Sequence, residues 1–264
     1  MSERVQLTID NGVATVRMSR PEKRNGLDPA MFDALIGTGK RIIADNSIRA
    51  VVLHGEGKAF CAGLDFASFL GSPDLMQKLL APSQESPANM AQRAGWIWQE
   101  VKVPVIAAVH GVALGGGLQI ALGADIRYVT ADAQLSVLEI KWGLIPDMSI
   151  TQTLLRLVPL DVAKELTFTG RMISGTEAVE LGLATRVSDD PLADALETAK
   201  LIATKSPHAI RAGKALLRDA PGMSRADALK LETALQVTLL GSPNQTEAVQ
   251  ANMMKRDPSF KDPE

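Results

Sequence analysis

Two glycine-containing turns are the part of this sequence best suited to chemistry. The triplet Gly115–Gly117 lies between an apolar run that ends at Val109 and a helix-like segment that begins at Leu118. Gly63 lies in a second turn, KAFCAGLDF (residues 58–66), which follows a strand-like apolar run. Glycine lets an atom approach the backbone closely, and the start of a helix favours negative charge. The two turns predict a pair of backbone N–H groups that converge on one oxygen atom.

Strands and helices are predicted in alternation around these turns. Alternating apolar and polar residues at 5–10 and 13–18 flank Asn11-Gly12, which is the sequence signal for a β-hairpin. Asp28 and Pro29 predict the cap and the first residue of a helix that runs to about residue 44. Continuous apolar runs, typical of strands covered on both faces, occur at residues 51–54 and 103–109.

Serine residues mark helix starts in the last third of the chain. Ser174 with Glu177 fits a capping box, and Ser206 and Ser242 each precede a proline, which is favoured at the first helical position. No strand-like run follows Val187. The sequence therefore predicts two regions, a core with the active site over residues 1–195 and a C-terminal helical assembly region over residues 196–264.

The composition excludes several classes of function. The 28 basic and 30 acidic residues give a net charge of -2, so no basic field attracts nucleic acid or a membrane surface. The single cysteine, Cys61, excludes a disulfide framework, and the three histidines lack the spacing of metal ligands. Nowhere do eighteen apolar residues run together, so no membrane-spanning helix is expected, and residues 1–5 lack the apolar core of a signal peptide. We expect a cytoplasmic protein that acts on a small molecule, without a metal.

Several stretches resemble, in order and spacing, the signatures of the crotonase superfamily, typified by enoyl-CoA hydratases and isomerases. They are KAFCAGLDF (58–66), PVIAAVHGVALGGGLQIALGADIRYV (104–129) and VLEIKWGLIPD (137–147). RPEKRNGLD (20–28) and KRDPSFKD (255–262) resemble the ends of that family's chains. The resemblance implies an α/β fold, namely a crotonase-like spiral of β-β-α turns with a C-terminal helical trimerisation region. It also implies a homotrimer or a dimer of trimers.

The resemblance also implies a coenzyme A thioester substrate and a set of catalytic groups. The backbone N–H groups of Leu64 and Gly116 match the family's oxyanion hole, which holds the thioester carbonyl oxygen. Proton transfer next to that carbonyl creates an enolate, and fixed donors stabilise its charge. Glu139 stands at the family's second glutamate position, where a partly desolvated carboxyl group would have a raised pKa suited to proton transfer.

Two positions depart from the hydratase pattern. Gln119 occupies the place of the first hydratase glutamate, and an amide can orient a water molecule but cannot take its proton. Asp147 occupies a place where hydratases usually have glycine, and dienoyl-CoA isomerases resemble this chain in having both Glu139 and Asp147 equivalents. Those isomerases carry a further aspartate at the position of Gln119. Asp147 is equally well explained as the cap of a helix that follows it.

Binding of the coenzyme A thioester is expected at residues that match family contacts or surround the oxyanion hole. Basic side chains complement the phosphates of coenzyme A, and the stretch after Gly63 is expected to hold its adenine and pantetheine portions. The segment from Gly71 to Met90, rich in proline and serine, is expected to cross the surface and shape the acyl pocket. The predicted binding residues are Lys23, Arg24, Ala62, Leu64, Asp65, Phe66, Ala67, Gly116 and Lys255.

Three functions follow from the resemblance and its departures. Hydration of a 2-enoyl-CoA is the family's default reaction. Isomerisation of a 3-enoyl- or 3,5-dienoyl-CoA by Glu139 and Asp147 is the alternative. A member that binds acyl-CoA without catalysis is the third, because the first hydratase glutamate is missing. None of them needs a cofactor beyond the coenzyme A that the substrate carries.

Overall fold

Residues 4–69 and 73–264, which the computed structural model describes, contain nine strands and eleven α-helices. The strands are β1 (Val5–Asp10), β2 (Val13–Met18), β3 (Ala50–Gly55), β4 (Val105–Val109), β5 (Val112–Leu114), β6 (Ile126–Val129), β7 (Gln134–Ser136), β8 (Ile173–Ser174) and β9 (Arg186–Val187). The helices are α1 (Pro29–Ala44), α2 (Pro73–Leu80), α3 (Met90–Glu100), α4 (Gly116–Leu122), α5 (Ile150–Thr153), α6 (Leu160–Thr169), α7 (Gly175–Glu180), α8 (Pro191–Ala203), α9 (Pro207–Asp219), α10 (Arg225–Leu239) and α11 (Pro243–Met254).

Two sheets organise the first three quarters of the chain. The larger sheet has the order β1-β2-β3-β4-β6-β9, antiparallel between β1 and β2 and parallel elsewhere. The smaller sheet has the order β5-β7-β8, parallel between β5 and β7. The chain adds β4 to the large sheet and β5 to the small one before α4, then β6 to the large sheet and β7 to the small one. This repetition is the predicted spiral of β-β-α turns.

The N-terminal hairpin and the first helix have the predicted bounds. Asn11 and Gly12 both have positive φ (49° and 78°), as a two-residue hairpin turn with the twist of the strands requires. The Asp28 carboxylate accepts a 2.8 Å hydrogen bond from Met31 N, and Pro29 is the first helical residue. Asp28 therefore caps α1, which runs to Ala44 as expected.

The hydrophobic core lies on both faces of the large sheet. The main cluster joins strand residues to the large side chains Phe32, Trp98 and Ile97 of α1 and α3, all buried. On the other face, α8 packs on β2, β3, β4 and β6 through alanines spaced four residues apart. Their small side chains let the helix approach the sheet closely. They are Ala195, Ala199 and Ala203.

The C-terminal helices follow α8, so the boundary predicted between residues 195 and 196 falls inside that helix. The helix α9 is attached to the core by Lys214, which is buried. Its Nζ donates to the carbonyls of Trp98 and Val103, both at 2.9 Å, and lies 2.7 Å from Asp125 Oδ2. By contrast, α10 packs on α9 and has no buried residue. No helix in the described part of the chain has the length and hydropathy needed to cross a bilayer.

Two predicted segments differ from the structure. The connection expected from Gly71 to Met90 contains α2, whose apolar residues reach the core; Gly71 and Ser72 lie outside the described residues. The helix expected from Leu118 begins two residues earlier, at Gly116. Periodicity missed this first turn because glycines carry no apolar signal.

Replacement of Gly117 by alanine should destabilise the fold. Its Cβ would collide with the Cys61 carbonyl and lie 2.9 Å from Cys61 Cβ, so the two glycine turns would have to separate. We expect Gly117→Ala to lower the free energy of unfolding by about 1–3 kcal/mol, measured by urea unfolding.

Gly37→Ala is the matched control, because nothing lies within 4 Å of the added Cβ in the middle of α1. Removal of a glycine from a helix interior should raise stability by roughly 0.5–1 kcal/mol. Equal effects of the two alanines would contradict the close contact described at Gly117.

Candidate active site

The two glycine turns meet at one place in the fold. Cys61 pairs with the small sheet, since its N–H donates to Val112 O and its carbonyl accepts from Leu114 N, both at 3.0 Å. A Cβ on Gly63 would lie 2.5 Å from Leu114 O and 3.7 Å from Gly116 N. Only glycine fits at residue 63, where φ is also +84°. The tertiary structure thus brings the Gly63 turn against the Gly115–Gly117 turn.

The Leu64 and Gly116 amides are left without acceptors. Leu27 N donates to Gly63 O (2.8 Å) and Leu27 O accepts from Asp65 N (3.0 Å), so the neighbours of Leu64 are paired. The Leu64 N–H itself donates to no acceptor in the described part of the chain. Gly116 is the first residue of α4, where the N–H has no helical partner, and no described group accepts from it. Both residues line a cavity of about 390 Å³.

The walls of this cavity are largely apolar. Phe66 lies in the Gly63 turn, and its ring lies 4.4 Å from the Trp142 ring, centroid to centroid. Trp142 belongs to an exposed apolar segment, since it is 53% exposed and Ile145 is 77% exposed. Another part of the wall comes from α2, through Met76, Leu79 and Leu80. An apolar chain bound here would cover side chains that are otherwise in contact with water.

Glu139 reaches this cavity from a 3₁₀ turn that follows β7. Its Oε1 accepts a 2.6 Å hydrogen bond from Gln119 Nε2, whereas its Oε2 is buried without a donor among the described residues. Burial raises the pKa of the Glu139 carboxyl group, and the charge of Asp147 raises it further. Hydrogen bonds from the backbone and from Gln119 oppose this rise without cancelling it. Oε2 is therefore the oxygen of Glu139 that is free to exchange a proton.

Gln119 connects Glu139 to the segment that carries Asp147. The Gln119 side chain is only 1% exposed, and while its Nε2 donates to Glu139, its Oε1 accepts from Met148 N at 2.8 Å. Both polar ends of the amide are therefore engaged with protein atoms. This arrangement fixes the orientation of Glu139 and leaves the Gln119 carbonyl occupied.

Asp147 lines the same cavity and does not cap a helix. The following helix, α5, begins at Ile150 after Ser149, which has a left-handed backbone (φ 68°), and no side chain caps it. The cap interpretation of Asp147 is therefore wrong. Although the residue as a whole is exposed, the burial felt by its carboxyl group raises the pKa of Asp147. Two acids with raised pKa values thus face one cavity.

Comparison with known proteins identifies the family. The sequence model of the enoyl-CoA hydratase/isomerase family matches residues 8–263. The chain belongs to this family. It is 32% identical to the mitochondrial Delta(3,5)-Delta(2,4)-dienoyl-CoA isomerase of Mus musculus, over 97% of this chain and 81% of the relative. It is 33% identical to a probable enoyl-CoA hydratase of Bacillus subtilis, over 97% of this chain and 98% of the relative.

Solved structures agree with this assignment. A crystal structure of an enoyl-CoA hydratase from Bacillus anthracis is similar with a TM-score of 0.91 at 30% identity, over 98% of this chain and 99% of that one. The fold is therefore that of the crotonase superfamily, and the protein is an enzyme of the hydratase/isomerase type. The family implies an acyl-CoA substrate.

The residues that family resemblance selected for acyl-CoA binding separate into two groups in this enoyl-CoA hydratase/isomerase family member. Four of them line the cavity: Ala62, Leu64, Phe66 and Gly116. The other five do not line it. Lys23, Arg24, Ala67 and Lys255 are exposed, and the Asp65 carboxylate turns to Arg20 and Ser68.

Several cavity residues escaped sequence reasoning. Met148 contributes its side chain beside Gly116, and Phe32 of α1 and the apolar residues of α2 reach the cavity from segments distant in sequence. Trp142 lies inside the signature VLEIKWGLIPD, and a tryptophan two residues before the apolar pair Leu144-Ile145 could have indicated a cavity wall. The α2 residues gave no such signal, because their amphipathic pattern is equally typical of a surface helix.

Glu139→Gln should stabilise the protein in a pH-dependent way. Because the folded pKa is raised, the ionised carboxylate opposes folding, and this penalty is absent where Glu139 is protonated. We expect equal stability of variant and wild type at low pH and an increasing advantage for the variant as pH rises. Each unit of raised pKa corresponds to about 1.4 kcal/mol. Thermal unfolding across a pH series measures it.

Glu247→Gln is the control with the opposite sign. Arg256 and Ser259 N–H hold the pKa of Glu247 at about 2, so its carboxylate contributes stability that is lost as pH falls towards that value. This variant should be less stable than wild type at neutral pH, and the difference should disappear in acid. If both variants responded to pH in the same direction, the raised pKa of Glu139 would be contradicted.

Proposed function

We propose that this enzyme isomerises the double bond of an unsaturated acyl-CoA, with Glu139 and Asp147 as the two proton carriers. One observation supports this proposal above others: both carboxyl groups face the same apolar cavity with raised pKa values. The Leu64 and Gly116 amides, which have no acceptor within residues 4–69 and 73–264, hold the thioester oxygen.

The proposed reaction moves one proton out and one proton in. A carboxylate removes a proton from C2 of a 3-enoyl-CoA, and the electron pair delocalises into the C1 carbonyl on one side of C2 and through the C3–C4 double bond onto C4 on the other. The negative charge on the thioester oxygen is stabilised by the two amides. The second acid, in its protonated form, gives a proton to C4, so a 2-enoyl-CoA is formed. With a 3,5-dienoyl-CoA the proton returns at C6 instead.

The environment of the two acids suits these steps. A general base and a general acid work best when their pKa values lie near the working pH, and burial moves both groups in that direction. No donor in the described part of the chain contacts Glu139 Oε2, so it can bind a proton without breaking a hydrogen bond. The charge of each acid also favours the state in which only one is ionised.

Hydration of a 2-enoyl-CoA is the second candidate, and the exposure of Asp147 favours it. A residue in contact with solvent can position a water molecule against C3 while Glu139 returns a proton to C2. The engaged Gln119 amide weighs against the two-glutamate form of hydration, because neither of its polar ends is a free proton carrier. The non-catalytic alternative is set aside, since the chain belongs to a family of enzymes.

The chemistry proposed for this enzyme requires no resident cofactor. Proton transfer between carbon and carboxylate changes no oxidation state, and the coenzyme A needed for carbonyl activation arrives with the substrate. The exposed basic residues Lys23, Arg24 and Lys255 are proposed to contact its phosphates.

Substitution of either acid tests the proposal. Glu139→Gln and Asp147→Asn should each lower kcat for 3-enoyl-CoA and 3,5-dienoyl-CoA isomerisation by about 10²–10⁴-fold, the usual contribution of a general acid or base. Products are followed by mass spectrometry, where isomerisation leaves the mass unchanged and hydration adds one water.

The exposed Glu180→Gln variant is the matched control and should retain wild-type rates. Turnover of crotonyl-CoA to a hydrated product, with no isomerisation of the 3-enoyl or dienoyl thioesters, would replace the isomerase proposal by the hydratase one. Full isomerase activity in both acid variants would reject the proposed carriers.

We also propose that the C-terminal helical region, residues 196–264, assembles the enzyme as a homotrimer or a dimer of trimers. The helix α10 packs on α9 with one face and presents a second apolar face outward. That face includes Leu229 (55% exposed) and Val237 (63%), and the exposed Leu240 (61%) follows directly after the last helical residue. An apolar face of this kind is suited to contact with another subunit.

Leu229→Glu should weaken this assembly. A charged side chain in the centre of an apolar interface must be desolvated without a partner, so light scattering after size exclusion should show smaller species. Ala234→Glu, an exposed position on the flank of the same helix, is the control and should leave the mass unchanged. A wild-type chain that is monomeric at micromolar concentration would contradict the proposal.

A further inference from the structure

A buried arginine contacts the Gly63 turn. Arg20 is 8% exposed, and its Nη1 donates to Gly26 O at 3.0 Å and to Asp65 Oδ2 at 2.8 Å. Its Nε lies 3.6 Å from Asp28 Oδ2, the carboxylate that caps α1. One guanidinium group therefore contacts both the segment before α1 and the segment after Gly63.

These two segments are the ones that surround the Leu64 amide. Leu27 N and O pair with Gly63 O and Asp65 N, so the peptide groups on either side of Leu64 are held by Leu27. Arg20 donates hydrogen bonds to the same two segments, to Gly26 on one and to Asp65 on the other. The contacts of Arg20 and Leu27 together surround the Leu64 N–H, which has no acceptor among the described residues.

The carboxylate of Asp65 is held by several groups. Ser68 Oγ donates to its Oδ2 at 2.8 Å, as Arg20 does. Burial acts to raise the pKa of Asp65, but the hydrogen bonds from Ser68 and Arg20 and the charges of Arg20 and Lys23 hold it below its usual value. Asp65 thus stays ionised and bound to Arg20, and it lies outside the lining of the cavity.

Asn25 fixes the other side of the arrangement. It is fully buried, its Oδ1 accepts from Arg20 N at 2.9 Å, and its Nδ2 donates to Ala59 O at 2.8 Å. The segment that carries Arg20 is therefore anchored to the first part of the Gly63 turn. The position of Arg20 is thus fixed by Asn25, whereas Asp65 lies on the segment that Arg20 holds.

We propose that Arg20 and Asp65 form a positioning pair that aims the Leu64 N–H at the substrate carbonyl oxygen. The inference rests on the proposed function of Leu64 as an oxyanion donor, and neither side chain touches the substrate. A backbone donor has no rotamer of its own, so its direction depends on the peptide groups around it. Gly63, with its wide conformational freedom, leaves that direction to be set by neighbours.

The expected effect of losing the pair is large in rate and small in binding. Misplacement of a catalytic group by about 1 Å can cost 10²-fold, and loss of one oxyanion donor costs about 10²–10³-fold. The donor acts mainly on the charged oxygen of the enolate, while the cavity walls bind the acyl group in both states. A misdirected Leu64 N–H therefore lowers kcat more than it raises KM.

Asp65→Asn is the primary test, because asparagine keeps the size of the side chain and removes its charge. We expect kcat to fall about 10- to 100-fold, with KM changed less than about threefold and the pH dependence of kcat unchanged. In parallel, deuterium exchange of the unliganded protein should be faster in residues 62–69 than in wild type. Arg20→Lys keeps the charge without the fork of donors and should lower kcat in the same way.

Glu100→Gln is the matched control, since it makes the same change in a carboxylate 3.3 Å from Arg93 Nε, away from the cavity. It should leave kcat and the exchange of residues 62–69 as in wild type. The inference is overturned if Asp65→Asn keeps kcat within about twofold, or if it lowers only thermal stability.

Failure of the proposed function gives a different result. Wild-type enzyme that converts no enoyl thioester would reject the reaction, while the exchange measurement still decides the positioning pair. Faster exchange at residues 62–69 in Asp65→Asn supports it, and unchanged exchange rejects it.

Discussion

The contact between two glycine turns is the constraint on which the site depends. The carbonyls of Cys61 and Leu114 lie where side chains at Gly117 and Gly63 would have to fit, so these turns approach as backbone against backbone. Because Leu27 pairs with both neighbours of Leu64, that residue is held without using its own N–H. The amides of Leu64 and Gly116 have no acceptor among the described residues, and both residues line one cavity. Strands of the spiral precede and follow both turns along the chain, and their packing keeps the two turns in contact.

The apolar cavity gives the two acids their character. In water Glu139 and Asp147 would be ordinary carboxylates, but burial raises the pKa of each. The polar contacts of Glu139 are unequal, since Oε1 accepts from Gln119, whereas Oε2 is buried and receives no hydrogen bond from the residues that the structure describes. Under the proposed function, Oε1 is the oxygen that holds the carboxyl group in place and Oε2 is the one that exchanges the proton. The walls that desolvate the acids are also the surface on which an acyl chain can pack.

Two polar side chains around the site, Gln119 and Asp65, make their hydrogen bonds to other groups of the protein. Gln119, in the place of a hydratase glutamate, joins Glu139 to Met148 N and so fixes the distance between the two acid-bearing segments. Asp65 faces Arg20 and Ser68 and leaves the cavity to apolar neighbours. The side-chain hydrogen bonds of Gln119 and Asp65 fix the orientation of a carboxylate and of a backbone segment. Family resemblance by itself assigned them to water and to substrate.

Local sequence was sufficient for elements whose signals are local. The Asn11-Gly12 hairpin and the helix from Pro29 to Ala44 have the predicted bounds, because turn chemistry, capping and periodicity act within a few residues. The ordered signatures also determined the family and the spiral fold. Tertiary structure decided what depends on segments far apart in sequence. It placed α2 against the cavity, turned Asp65 to Arg20, and excluded Asp147 as a cap, because burial and hydrogen-bond partners are set only when distant segments pack together.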